Sequence, residues 1–307
     1  MRNRCIYCRS EGEAFVPNLG GWVCREHFMR YFYKRVSRVL RRLGRGRSVL
    51  VGVSGGKDSV AALYATADLS ERYSLRVAGL MIDMGLNPEC LEVYSEALED
   101  LGVEGYLIRL EDLGMRIPRD PRAACLVCGT VTRYLLNRAA RELGFEYAAT
   151  GHNLDDMAYF AINNLITHNV WYLRYLDSVT PPVPGAKTVG RVRPLFWVGD
   201  SDSANFVRLR GARSCVTKCP HEGVDKQAVI KPLVARLVEL WPQSEVNLVG
   251  SLRELARRAG LTADGGGDFR FCSRCGYPSR TEVCSFCRLA ESMGGSVPER
   301  LPVVRVG

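Results

Sequence analysis

Ser54-Gly55-Gly56-Lys57-Asp58-Ser59 lies between two apolar runs, Ser48-Val49-Leu50-Val51-Gly52-Val53 before it and Val60-Ala61-Ala62-Leu63-Tyr64 after it. The first run is short and β-branched and reads as a buried parallel strand. The second opens a helix. A glycine pair at such a junction lets backbone N–H groups turn inward and hold phosphate oxygens, and the helix N-terminus adds partial positive charge. Lys57 brings a full charge, and Ser54 and Ser59 bring hydroxyl donors. The spacing is not G-x-x-x-x-G-K-[ST], so this is not the common P-loop. The competing reading is a tight strand-to-helix turn without a ligand.

The hexapeptide resembles the PP-loop of ATP pyrophosphatases, which split ATP into AMP and pyrophosphate to adenylate a substrate carbonyl. The resemblance implies that Ser54, Gly55, Gly56, Lys57, Asp58 and Ser59 hold ATP. Many amidotransferases and tRNA-modifying enzymes share this loop, so the rest of the chain has to narrow the choice.

Outward from the loop the pattern is β-α-β. Strands are expected at 48–53, 75–82, 104–109 and 146–150, and helices at 59–70, 88–101, 126–143 and 154–167. This alternation predicts an α/β fold with a parallel sheet covered by helices on both faces. Ligands then bind beyond the carboxyl ends of the strands. One such end is the SGGKDS loop. A second is Met81-Ile82-Asp83-Met84-Gly85, where backbone groups could hold an adenine edge and apolar side chains its face. A third is Thr150-Gly151-His152-Asn153-Leu154-Asp155-Asp156. Here two carboxylates stand at a helix start, where they could cap free N–H groups. Adjacent residues do not share a helix face, so one can cap while the other enters the cleft. Near an ATP phosphate, a carboxylate would hold Mg²⁺ or handle a proton. His152 reads equally as a phosphate contact or as a hydrogen-bonded core residue.

At 307 residues the chain can bury one sizeable core with one or two small appendages. No apolar run is long enough to span a membrane, and Met1-Arg2-Asn3-Arg4 does not open a signal peptide, so a cytoplasmic protein is expected. The 42 basic and 33 acidic residues leave a net charge of +9, which favours a polyanionic partner. Twelve cysteines in such a chain point to metal rather than disulfides.

Those cysteines fall into groups. Cys5-x-x-Cys8 with Cys24-x-x-His27 can close a tetrahedron around zinc, in a segment with too few apolar residues to fold without metal. Cys272-x-x-Cys275 with Cys284-x-x-Cys287 reads as a compact zinc ribbon or knuckle. Between them, Cys125-x-x-Cys128 and a distant Cys219 before Pro220 suit iron–sulfur ligation, with zinc or a Cys125–Cys128 redox disulfide as alternatives. Cys215 could add a fourth thiolate. Cys90 lies outside every motif and reads as an ordinary buried thiol.

Together, a PP-loop, two terminal zinc motifs, a central C-x-x-C-G and a distant Cys-Pro resemble the tRNA 2-thiolation enzymes of the TtuA/TtcA group, in its TtuA-like branch, over nearly the whole chain. The resemblance implies a PP-loop domain of the adenine nucleotide alpha hydrolase type, over 31–262, between zinc fingers at 1–30 and 263–307. It implies Cys125, Cys128 and Cys219 as ligands of a [4Fe–4S] cluster beside ATP, and Asp156 as a catalytic carboxylate. It implies Lys57 at the phosphates and Met81, Ile82 and Gly151 around the nucleotide. It further implies a tRNA substrate, with T-loop ribothymidine expected over the wobble uridine. The sulfur donor would be a ubiquitin-like carrier protein or sulfide, and the protein a homodimer. Two positions depart from the family pattern. Thr132 stands where a basic residue is usual, and Met157 where an acidic one is usual.

Several basic stretches lie outside these motifs. A helix over 28–43 carries Arg30, Lys34, Arg35, Arg38, Arg41 and Arg42 on its polar face, with Tyr31 and Tyr33 between them. It reads either as an RNA-binding face or as a solvated one. Residues 177–194 read as a loop. The stretch 203–218, with Arg208, Arg210, Arg213 and Lys218, reads as a further place for phosphate contact. Helices are expected at 225–241 and 244–259, with Gly265-Gly266-Gly267 as a linker.

Overall fold

Apolar residues run without a break along the central strands because each strand is covered on both faces. The computed structural model describes residues 3–183, 185–216, 227–261 and 270–306. The chain opens with β1 (Ala14–Val16) and β2 (Gly21–Val23), an antiparallel pair, and α1 (Arg25–Leu40). There follow β3 (Ser48–Val53), α2 (Lys57–Asp68), α3 (Ser70–Tyr73), β4 (Arg76–Asp83), α4 (Glu89–Leu101) and β5 (Glu104–Arg109). After these come α5 (Pro121–Glu142), β6 (Tyr147–Ala149), α6 (Leu154–Ile166), β7 (Val179–Thr180) and β8 (Gly190–Val192). The last part holds α7 (Asp200–Arg210), α8 (Gln227–Leu240), α9 (Ser244–Arg258), β9 (Arg270–Phe271), β10 (Pro278–Ser279), α10 (Ser285–Ser292) and β11 (Val304–Val306).

Seven strands form one sheet in the order β11-β5-β4-β3-β6-β8-β7. From β5 to β8 the pairing is parallel, and β11 and β7 close the two edges antiparallel. Val49, Val51 and Val53 face one side with α1, α2, α4, α6 and α7. Leu50, Ala78, Leu80, Tyr106 and Ile108 face the other, under α5 and α10. The order reverses at β3. Its chain continues through β4 and β5 on one side and returns with β6 on the other. A crevice therefore opens beyond the carboxyl ends of β3 and β6. The SGGKDS loop and the Thr150–Asp156 segment both lie at this crevice.

Each of the expected strands at 48–53, 75–82, 104–109 and 146–150 is present, within two residues at either end. Three differences matter. First, α5 begins at Pro121, five residues earlier than 126, because Asp120 caps it by accepting from Ala123 N–H and Pro121 takes the first helical position. Cys125 and Cys128 are thus helical. Second, 177–194 is not all loop: β7 and β8 extend the sheet, with Val192 paired to Ala149. Third, β11 brings the C-terminal tail back to pair with β5. These strands are only two or three residues long, and Arg191 and Arg305 interrupt their apolar character, so period-two alternation cannot mark them. No helix among the described residues is long and apolar enough to cross a membrane.

The join between β5 and β11 is tight at Gly105, which pairs with Val306. A Cβ there would sit 2.1 Å from Leu98 Cδ1 and 2.5 Å from the Val306 carbonyl oxygen. Gly105→Ala should therefore cost about 1–3 kcal/mol by overpacking. It should remove hydrogen-exchange protection from 304–306 while the amides of β3 stay protected. Unchanged protection at 304–306 would contradict this packing.

Candidate active site

The site is built on the junction of β3 and α2. Gly55 holds φ +83°, a left-handed conformation that glycine alone adopts without strain. A Cβ on it would lie 2.6 Å from both Cys215 Sγ and Cys90 Cβ. Gly56 caps α2, and Lys57 is the first helical residue. Ser59 Oγ donates to the Gly56 carbonyl at 2.8 Å and accepts from Ser54 N–H at 3.1 Å. These bonds fix the turn with its backbone at the helix N-terminus.

Beside the turn is a cleft of 330 Å³, lined by Ser54, Asp58 and Ser59 from the loop, by Cys128 and Thr132 from α5, and by Gly151, His152 and Asp156 from the third strand end. Leu80, Ile82 and Met84 supply an apolar wall. Met81 does not line it: its side chain is buried on the opposite face of the sheet. Alternation along β4 requires this, since Leu80 and Ile82 share one face and Met81 takes the other. Gly151 allows the loops to touch. A Cβ there would lie 2.8 Å from Asp58 C and Ser59 N.

A network of charge runs along the rim. Lys57 Nζ lies 2.7 Å from Asp58 and 2.6 Å from Asp200. Asn153 Nδ2 donates to both of these carboxylates. Asn153 also caps α6 reciprocally with Asp156, and Asp156 Oδ1 lies 2.6 Å from Lys231 Nζ. The neighbouring Asp155 turns away and accepts from Asp200 N–H at 2.7 Å. The two adjacent carboxylates thus divide their roles. Desolvation opposes the charge of Lys57, but Asp58 and Asp200 outweigh it and hold the ammonium above its ordinary range. His152 opens partly to the cleft, yet surrounding protein desolvates it. With Arg193, Arg133 and Lys231 nearby, its ring is pushed down to about 4, against the pull of Asp156. It is therefore neutral at pH 7, with Nδ1 2.8 Å from Thr150 Oγ1.

Cys125 and Cys128 stand one turn apart on α5, the first exposed and the second half-buried. This pair of thiols projects from one face of the helix, and Cys128 shares its cleft with the phosphate-type loop. Cys219 lies outside the described residues. Cys215 and Cys90 depart from expectation. They are joined as a disulfide across 125 positions, and Cys215 N–H donates to the Gly55 carbonyl at 2.9 Å. Cys90 is thus no isolated thiol, and Cys215 packs on the loop rather than standing with Cys125 and Cys128.

The terminal cysteine clusters have metal-binding geometry. The donor atoms of Cys5, Cys8, Cys24 and His27 all lie within 4.8 Å of one another, as do those of Cys272, Cys275, Cys284 and Cys287. Sulfur pairs at 3.7 and 3.8 Å match the edge of about 3.8 Å that a zinc–thiolate tetrahedron with 2.3 Å bonds requires. Cys24 and Cys284 also cap α1 and α10, so each cluster is seated on a helix start.

No model of a known protein family matches the chain. Individual proteins do. The tRNA-5-methyluridine(54) 2-sulfurtransferase of Thermus thermophilus is 31% identical over 301 residues, covering 94% of this chain and 91% of that protein. This protein belongs to the tRNA 2-thiolation enzymes. A second member, the tRNA 2-thiolation protein NcsA of Haloferax volcanii, is 30% identical over 316 residues, covering 94% and 98% of the two chains. The U34-tRNA thiolase NcsA of Methanococcus maripaludis, solved with its [4Fe–4S] cluster, has the same fold, with a TM-score of 0.79, 22% identity and coverage of 98% and 99%.

In this thiolation enzyme, sequence reading missed Asp200 and Lys231. Each opens or lies within a helix far along the chain, and each acts through a partner 143 or 75 residues away. An acidic residue after Gly199 reads only as a helix-start signal. The basic stretches also prove different in kind. On α1, Arg35 donates to the Trp197 carbonyl, Arg38 lies over the Trp197 ring, and Arg42 pairs with Asp177. Tyr31 and Tyr33 donate to Asp202 and Asp68, so these rings are not free to stack on bases. Arg208 donates to the Glu13 carbonyl, and Arg210 and Arg213 pair with Asp68 and Glu96. These cations hold the fold together. Lys218 lies outside the described residues.

Two outcomes follow from this geometry. Gly55→Ala should remove ATP binding, measured by calorimetry, while the circular dichroism spectrum is retained; ATP affinity within threefold of wild type would contradict the turn. The second concerns Glu245 on α9, which is buried, with Oε1 lacking a hydrogen-bond partner among the described residues. Burial, reinforced by Asp155, Asp202 and Asp200, pushes its carboxyl up to about 8. The folded state then holds a proton that the unfolded state has lost, so stability falls as pH rises from the ordinary glutamate range of about 4.3 toward that value. Glu245→Gln should raise Tm relative to wild type at pH 8, and by much less at pH 5. An equal change at both pH values would show that Glu245 is charged when buried.

Proposed function

We propose that this thiolation enzyme replaces the C2 oxygen of 5-methyluridine at tRNA position 54 with sulfur, by adenylation and then sulfur transfer. The supporting observation is that Cys128, Asp156 and the SGGKDS loop line one cleft at the switch point of the sheet. Identity to the position-54 enzyme of Thermus thermophilus supports the choice of base.

ATP would lie with its phosphates over the N-terminus of α2, where loop N–H groups and Lys57 offset the negative charge. Leu80, Ile82 and Met84 would face the adenine, and Asp58 and Asp156 are the carboxylates placed for Mg²⁺. The base must leave its stack to reach this cleft. Its O2 forms a bond to the α-phosphorus as pyrophosphate departs. The N3 proton would pass to a base, for which Asp156 on the cleft wall is the candidate. The weakly leaving oxygen thereby becomes part of AMP, which departs when sulfur bonds to C2. Neutral His152 can donate a hydrogen bond there without adding charge.

Cys125, Cys128 and Cys219 would hold the cluster, as the thiolate donor set and the one-turn spacing on α5 suit iron. When bound, a three-thiolate [4Fe–4S] cluster supplies an iron open to exogenous sulfur. The donor would be a ubiquitin-like thiocarboxylate protein or sulfide. Zinc in the two terminal clusters would be structural, each site closed by four protein ligands.

Anaerobically purified protein supplied with ATP, Mg²⁺, sulfide and unthiolated tRNA should form AMP, pyrophosphate and a thiolated nucleoside mapped to position 54. Asp156→Asn should slow adenylation by about 10²-fold or more. It should leave tRNA affinity within twofold. A thiolated base at position 34 would overturn the choice of site, and turnover by the asparagine variant at the wild-type rate would remove Asp156 from the mechanism.

A further inference from the structure

On the far flank of α5 from the nucleotide cleft is a second cavity, of 390 Å³, between α5, β8 and the C-terminal cysteine module. Four arginines line it: Arg133 from α5, Arg191 from β8, and Arg280 and Arg288 from the module. Several exposed arginines elsewhere pair with carboxylates, as in Arg47–Glu146, Arg76–Glu104 and Arg274–Glu291. Here the partners are neutral. Arg191 donates to Tyr277 Oη at 3.2 Å. Arg288 donates to Thr281 Oγ1 at 2.7 Å and to the Val283 carbonyl at 3.0 Å. Arg280 lies 5.0 Å from the Tyr172 ring centroid. Around Arg133 the nearest charges include Arg191, which repels it. No carboxylate lines the cavity among the described residues.

Four converging guanidiniums with their charge uncancelled carry an electrostatic cost unless an anion joins them. Their planar forks suit phosphate oxygens. The cavity is also held in shape. Tyr134 of α5 stacks on Phe286 of the module at 3.8 Å and 8°, and meets Tyr277 edge-on. The two cavities share α5 as a wall: Cys128, Thr132 and Leu136 face the nucleotide, while Thr130, Arg133 and Tyr134 face the arginines. The span across a helix is about 10–12 Å. An anion seated among the arginines therefore lies within a few nucleotides' reach of the reacting base.

We propose that this arginine cavity seats backbone phosphates of the RNA segment that presents the reacting base. The inference rests on the tRNA reading above and adds the anchoring site. Phosphate contacts of this kind fix register and orientation and carry no sequence information themselves. Arg133 is the cation of this turn of α5, and it lines the arginine cavity while Thr132 lines the nucleotide cleft.

The test uses Arg191→Gln and Arg280→Gln, singly, in the full chain, avoiding Arg288 because it ties the module's own loop. Wild-type and variant affinities for unthiolated tRNA are measured across a salt series, with ATP affinity and zinc content alongside. Each variant should bind tRNA several-fold more weakly. Each should lower the slope of log affinity against log salt by about 0.7–0.9, the release expected for one lost phosphate contact. ATP affinity and zinc content should not change. Unaltered tRNA affinity, or weaker binding with an unaltered slope, would overturn the proposal. Loss of ATP binding in place of tRNA binding would overturn it too, by making the cavity a nucleotide-phosphate site. Wild-type protein that binds tRNA with the expected variant effects but makes no thiolated base would sink the reaction and leave the anchoring site standing.

Discussion

Everything in the site depends on a backbone turn that no side chain can enter. Gly55 is left-handed and is pressed from outside by the Cys90–Cys215 pair. The carbonyl of Gly55 is taken by Cys215 N–H. One consequence is direction. With its carbonyl bonded outward, the turn presents its remaining polar groups toward the crevice, where β3 hands over to α2. Another is linkage. The segment just before 217 is tied to the loop by the hydrogen bond from Cys215 N–H to Gly55 and to α4 by the Cys90–Cys215 disulfide. The stretch that carries Cys219 therefore departs from a point beside the PP-loop.

Most of the architecture was readable because the sheet is buried on both faces. Burial makes β3, β4 and β5 continuous apolar runs and makes their helices amphipathic, and both are periodic signals. What could not be read has a common cause. The strands β7, β8 and β11 are too short to carry a period, and they exist because edge positions were left open by the longer strands. Asp200 and Lys231 are likewise defined only by partners brought together in space. At Met81, alternation along β4 turns the side chain away from the cleft, so only its backbone remains at the strand end. The two terminal groupings of four donors were legible because ligand spacing is local: a C-x-x-C or C-x-x-H step is set by one turn of chain.

Composition alone does not separate cations that the fold uses from cations left for a partner. The eye goes to α1, with its row of arginines and two tyrosines. In the folded protein Arg35, Arg38 and Arg42 satisfy a carbonyl, a ring and a carboxylate of the 177–197 segment. An arginine bound to Asp177 contributes packing and pairing, and little net field. Four arginines without a carboxylate partner, one on α5, one on β8 and two in the terminal module, are far apart in sequence and meet only in the fold, where they line one cavity. Net charge favours a polyanion and does not locate one.

The pairing pattern at the nucleotide cleft adds a constraint on catalysis. Lys57 is already matched by two carboxylates, and Asp156 by Lys231, with Asn153 bridging the two halves. A polyphosphate placed on the loop would meet Asp58 and Asp200 as like charges at short range. Lys57 cannot serve both carboxylates and phosphate equally. A divalent cation between Asp58, Asp156 and the phosphates would resolve the conflict, turning the carboxylates from repulsive neighbours into ligands. That exchange would also release Lys57 toward the phosphates. The acidic rim and the basic loop are then a single device: with three carboxylates against two ammoniums it carries an excess negative charge when the loop is bare, and a divalent cation arriving with the nucleotide would offset it.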